Sequence, residues 1–215
     1  MDFTLPILFF LFVIIPSSIL HEYAHGWVAD KLGDPTPRLS GRLTLNPVPH
    51  IDLMGTLLLP LGLLILTRGS FMFAYAKPVP FNPLALRWRR WGSAAVAIAG
   101  PATNVLVAFM CGALLQAVPI SNWSVLLSII VYANIMLAVF NLVPIPPLDG
   151  SKILYTFIPD RYYAAKVWLE RYGYYILIFF VFFLFQQLLS PIIHWLFGLA
   201  AGRVGELILY QSVGA

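Results

Sequence analysis

Long apolar stretches broken by short polar links dominate the pattern of this chain. Four of them, Phe3 to Val28, Trp91 to Val118, Ser124 to Val143 and Tyr174 to Leu189, are followed by an apolar tail from Ile192 to Leu209. A helix crosses the hydrocarbon layer in about 20 residues, so these stretches predict membrane-spanning helices. A shorter run, Leu53 to Thr67, is interrupted by Pro60 and Gly62 and predicts a re-entrant or peripheral segment. Two links have strand character. Ser40 to Asn46 alternates partly, and Phe71 to Pro80 reads FMFAYAKPVP, aromatic and β-branched with prolines suited to an edge. The fold class that follows is an all-α membrane protein, a polytopic helical bundle with a small membrane-embedded β element. It is expected to form one domain over 1–215, with a core at about 3–158 and amphipathic and transmembrane segments over 159–215. There is no internal repeat.

Composition agrees with a lipid solvent: 60% of residues are apolar and 10% charged, a balance a soluble domain of 215 residues could hardly cover with polar surface. The net charge of +4 does not point to nucleic acid, because Lys and Arg sit in links beside apolar runs, where they set orientation. Lys31, Arg38 and Arg42 precede the short run, while Arg68, Lys77, Arg87, Arg89 and Arg90 follow it, which puts both of its flanks on the cytoplasmic side. The chain then goes in to out from Trp91 and out to in from Ser124, meeting a basic link with Lys152, Arg161, Lys166 and Arg171. No Lys or Arg precedes Phe3 and no small-residue cleavage site follows the first run, so that run is expected to be retained. Trp88, Trp91, Trp123, Tyr174 and Tyr175 fit interfacial belts. Cys111 is the single cysteine and excludes a disulfide framework or a cysteine zinc cage.

The chemistry begins with His21-Glu22-Tyr23-Ala24-His25 near the inner end of the first run. On a helix, residues four apart share a face, so two imidazoles can meet one ion while the neighbouring glutamate reaches water beside it. A zinc ion there would acidify water and polarise a scissile carbonyl, with Glu22 taking the proton and passing it to the leaving amine. Ionisable groups in a span are costly and are usually paired, metal-bound or functional. For the third ligand, Asp149 is chosen because it closes an apolar span running in the same direction as the first, at the same depth. Taken alone, it also fits a loop aspartate before Gly150 or the cap of a helix starting near Ser151.

HEYAH, then Gly100-Pro101-Ala102-Thr103-Asn104, then Asn141-Leu142-Val143-Pro144-Ile145-Pro146-Pro147-Leu148-Asp149-Gly150, in that order, resembles the site-2 protease family of intramembrane zinc proteases. The resemblance covers about three-quarters of the chain. It implies a three-helix core, one zinc ion held by His21, His25 and Asp149, a catalytic Glu22, and transmembrane proteins as substrates. It also implies that FAYAKPVP grips substrate. The Leu53 to Thr67 insert departs from the minimal family core, and neither a PDZ nor a CBS segment is found.

Around this set, the prolines after Asn141 end the span, and Asn141 itself fits either a donor to the substrate backbone and oxyanion or a bond between helices; the resemblance favours the former. Gly100 and Pro101 fit close helix approach, and Asn104 fits a bond across that gap or a group behind a ligand. His50 and Asp52 form a second polar cluster, with a loop-structuring role favoured over a gate, a group supporting a ligand from behind or an accessory metal site. His194 reads as a packing residue. The expected function is hydrolysis of peptide bonds in or near transmembrane segments, in a bacterial inner membrane with the site towards the cytoplasm. The rival is a metal transporter or zinc-binding scaffold, which explains the ligands but not the glutamate.

Overall fold

A computed structural model describes residues 4–58, 62, 65 and 77–213. Helices α1 (Thr4–Lys31) and α2 (Thr36–Leu39) lead through a 3-10 turn at Val48–His50 into a π-helical turn at Leu53–Leu58. Five further helices follow: α3 (Arg89–Ala117), α4 (Asn122–Asn141), α5 (Asp149–Phe157), α6 (Tyr163–Phe183) and α7 (Phe185–Val213). Among the described residues, three stretches are long and apolar enough to cross a membrane: Arg90–Ala117, Asn122–Asn141 and Phe185–Ile208.

Helix α3 is the hub, packing on α1, α4, α5 and α7. Small residues make this possible: a Cβ on Gly112 would come within 2.2 Å of the Ala200 carbonyl oxygen, so α3 and α7 touch backbone to backbone. The main core is built from Ala108 and Leu115 of α3, Val131 and Ile135 of α4, Phe180 of α6 and Phe197 of α7. At the far end of α3, the Gln116 side chain donates to Ala200 O at 3.0 Å, and Gly202 takes a φ of 62°, a kink that a side chain would resist.

Two expectations change. The described residues contain no β-strand, so the small membrane-embedded β element is not supported. Ser40 to Asn46 is a series of turns, with Gly41 at a φ of 69° and the Asn46 side chain accepting from the Val48 amide at 3.1 Å. Residues 71–76 lie outside the described residues, and 77–80 are irregular, since Pro78 and Pro80 have no N–H to give a ladder. The Tyr174 to Leu189 stretch is also not one span. The chain breaks at Leu184, Pro191 lies inside α7, and the tail joins α7. Nothing in Phe182-Phe183-Leu184-Phe185 breaks a helix locally. Around the break, Gly173 lies against Pro146, and the Phe185 ring sits 6.2 Å from Phe140 at the end of α4. Most of the Leu53 to Thr67 run falls outside the described residues.

Candidate metal centre

His21 and His25 lie one turn apart on α1, both buried, and face α3. The outer nitrogen of each ring is committed as a donor. His25 Nδ1 donates to the Val96 carbonyl oxygen at 2.6 Å, and His21 Nδ1 donates to Asn104 Oδ1 at 2.8 Å. The second assignment is fixed from a distance. Ile130 O on α4 can only accept, so the Asn134 amide nitrogen points to it at 2.9 Å; Asn134 Oδ1 then accepts from Asn104 Nδ2 at 3.2 Å, which leaves Asn104 Oδ1 for His21. Both imidazoles are thereby held as Nδ1–H tautomers, with Nε2 lone pairs turned inward, the arrangement in which histidine binds metal. Gly100 allows α3 this close: a Cβ there would stand 2.4 Å from His25 Nε2 and 2.6 Å from His21 Nε2.

The third group arrives from α5. After α4 ends at Asn141, Pro144, Pro146 and Pro147 forbid its continuation, and the chain turns back so tightly that a Cβ on Gly150 would lie 2.2 Å from Leu142 O. Asp149 opens α5, is buried, and places one oxygen, Oδ2, 3.0 Å from both His21 Nε2 and His25 Nε2. Its other oxygen, Oδ1, accepts from Lys152 Nζ at 3.0 Å. Three lone-pair atoms thus converge on largely buried side chains, with no donor among them in these tautomers. A cation is what that donor set lacks, and two imidazoles with a carboxylate suit zinc. Burial pushes the Asp149 carboxyl up, but its hydrogen-bond contacts with His21 and His25 and the charge of Lys152 hold it below the usual carboxylate range.

Glu22 stands beside this triad. One ligand atom each from His21, Glu22 and His25 lie within 4.8 Å of one another, so Glu22 is geometrically a second candidate for the third ligand. Its Oε2 however accepts the Val79 main-chain N–H at 2.8 Å. The residues line a cleft of about 110 Å³ together with Val79, Asn141 and Lys152. The Asn141 side chain spends one N–H on Leu137 O at 2.9 Å and keeps a second.

Of the residues singled out in the sequence, His21, Glu22, His25, Asn141 and Asp149 meet at this cleft, and Asn104 stands directly behind His21. His50 and Asp52 do not line it. Buried His50 donates from Nε2 to Thr44 O at 2.9 Å, and Asp52 Oδ1 accepts the Gly55 amide at 2.7 Å, both shaping the loop. His194 bonds Ser190 O in its own helix at 2.7 Å and packs on Tyr132. Sequence reasoning passed over Asn134, whose signal was a lone amide in an apolar span, and took Lys152 only as an orientation charge and Val79 only as part of FAYAKPVP.

The model of the family described as peptidase family M50 matches residues 112–184, a stretch with Asn141 and Asp149 but not the HEYAH turn. Among curated proteins, the chain is similar to YwhC of Bacillus subtilis (strain 168), named as a candidate zinc metalloprotease. Identity is 34% over 216 residues, covering 95% of this chain and 92% of YwhC. It is also similar to Rip2 of Mycolicibacterium smegmatis, named in the same terms, at 30% identity over 169 residues, covering 75% of this chain and 62% of Rip2. No solved structure matches the chain significantly.

Proposed function

The chain belongs to peptidase family M50, the site-2 proteases, and from that premise we propose that His21, His25 and Asp149 hold the zinc ion and that Glu22 is the catalytic proton carrier. The chain is an integral-membrane zinc metalloprotease of the site-2 type. The observation that carries the residue assignment is the single carboxylate oxygen 3.0 Å from two imidazole nitrogens more than a hundred residues away in sequence. It favours Asp149 over Glu22 as third ligand, since Glu22 is engaged by Val79 while Asp149 Oδ2 faces both rings equally.

Zinc, when bound, supplies a Lewis acid that polarises the scissile carbonyl and acidifies water. The chain supplies the rest. Glu22 accepts a proton as water oxygen bonds to the carbonyl carbon, then returns it to the amine nitrogen as the C–N bond breaks. The free N–H of Asn141, on the cleft wall, donates to the oxygen that becomes negative. Asn104 and the Val96 carbonyl keep the imidazoles in the binding tautomer. The substrate is a transmembrane segment of another protein, unwound locally because a helix hides its carbonyls, and cleavage releases its cytoplasmic part in regulated intramembrane proteolysis. Basic links flanking the site support a cytoplasmic opening, and bacterial relatives support a bacterial inner membrane. One protease domain accounts for residues 1–215.

The test is a cleavage assay on the full chain in lipid with a transmembrane peptide. Glu22→Gln is expected to keep zinc and to lower the rate by at least about a hundredfold, the range of a general acid–base group. Unchanged cleavage, or loss of zinc with the glutamate, would remove Glu22 from this role. Transport of metal without cleavage by the wild-type chain would favour a carrier instead.

A further inference from the structure

Glu22 and Gly26 are one turn apart and share a face of α1, next to the face that carries the two histidines. The segment Lys77–Asn82 lies across that face. Within Pro78-Val79-Pro80 the prolines have no amide hydrogen, so Val79 owns the only main-chain donor, and it is given to Glu22 Oε2 at 2.8 Å. Val79 is only 6% exposed, and its side chain sits over Gly26, where a Cβ would meet Val79 Cγ1 at 3.1 Å. The segment is pinned at both ends: the Lys77 amide donates to His50 O at 2.9 Å, and the Asn82 amide donates to buried Asp34 Oδ2 at 2.5 Å. Each of these three attachments uses a backbone N–H. A strand that paired with substrate would need such donors free.

We propose that Val79 is a positioning residue whose main-chain amide fixes the Glu22 carboxylate, occupying Oε2 so that Oε1 takes the proton from water and returns it to the leaving amine. The inference rests on the reading of Glu22 as the proton carrier. A glutamate has three side-chain torsions, and holding it by a charge-assisted bond to an anchored backbone removes the search for a reactive orientation. The flanking prolines restrict the strap around its one donor, Gly26 lets it approach, and the His50 loop holds its upstream end. His50 thus serves the site through Lys77 rather than as a ligand or a gate.

The experiment replaces the amide of residue 79 by a backbone ester, which deletes the N–H and keeps the valine side chain. In the full chain in lipid with a transmembrane peptide, kcat is expected to fall roughly tenfold or more, the equivalent of one hydrogen bond to a charged group. KM should stay within about twofold and zinc content should be unchanged, because the bond acts on the chemical step and not on binding. An unchanged kcat overturns the proposal. So does a raised KM with kcat intact, which assigns the strap to substrate, or loss of zinc, which assigns it to the metal site. Hydrogen exchange gives a second measure that needs no ester. The Val79 amide should be protected in the wild-type chain and exchange about tenfold or more faster in Glu22→Ala, while the Lys77 and Asn82 amides keep their protection. No change at Val79 refutes the bond. If the wild-type chain cuts no peptide at all, the protease reading fails, and exchange alone decides whether the strap holds Glu22.

Discussion

A buried imidazole binds metal only if its proton sits on the other nitrogen, so the residues behind His21 matter as much as His21. The order of bonds from Ile130 O through Asn134 and Asn104 to His21 Nδ1 makes a graded prediction. Asn104→Leu, close in shape but with nothing to accept the ring N–H, should weaken zinc retention against a chelator by about ten- to a hundredfold. Asn134→Leu leaves Asn104 in place but free to turn its amide, so its loss should be smaller. Equal affinities in all three proteins would mean that the relay does not set the tautomer. Asp149→Ala removes the shared oxygen itself, and its zinc loss should exceed both; unchanged stoichiometry would dismiss Asp149 as a ligand. Legibility at this scale follows sequence distance. HEYAH was readable because its two histidines are a helical turn apart, whereas Val79 acquires its role only once it meets Glu22, 57 residues away in sequence.

At the scale of elements, the same small residue does different work in different helix pairs. Gly100 and Gly112 both lie on α3, three turns apart, and both leave no room for a Cβ. At Gly100 the obstacles are the metal-facing imidazoles, at 2.4 and 2.6 Å; at Gly112 it is the Ala200 carbonyl of α7, at 2.2 Å. Gly100→Ala should therefore lose zinc and cleavage while keeping its helical circular dichroism, because rings can swing but the bundle stays. Gly112→Ala should lower the thermal midpoint of the bundle and spare the zinc bound by the fraction that folds. Identical phenotypes would mean that α3 moves as one rigid rod. Helices were foreseeable from apolar length, and the end of α4 from its prolines. The β element finds no support over 77–80, the described part of FMFAYAKPVP: its prolines were taken to suit an edge, but they deny the ladder, and the one donor between them is given to Glu22. The break at Leu184 left no local mark, since Phe182, Phe183, Leu184 and Phe185 are all compatible with a continuing helix.

For the whole molecule, the side of the membrane that the cleft faces is measurable through α4. Helix α4 has 20 residues, about 30 Å at 1.5 Å each, so its two ends lie on opposite sides if it crosses. Its start follows the uncharged link around Ile120, which is 65% exposed; its end at Asn141 leads to the site and then to Asp160, whose side chain is 96% exposed. Lys152, Arg161, Lys166 and Arg171 crowd the second side, and the retention of basic links in the cytoplasm predicts that this side is the inner one. Cys111 is the only thiol, so Cys111→Ala gives a clean background. In intact cells a membrane-impermeant maleimide should label Ile120→Cys and leave Asp160→Cys unlabelled until the membrane is opened. The reverse result would turn the cleft outward, and labelling of both would mean that α4 does not cross. With the cleft inward, water reaches Glu22 from the cytoplasm, and the cytoplasmic part of a cut substrate is the part set free.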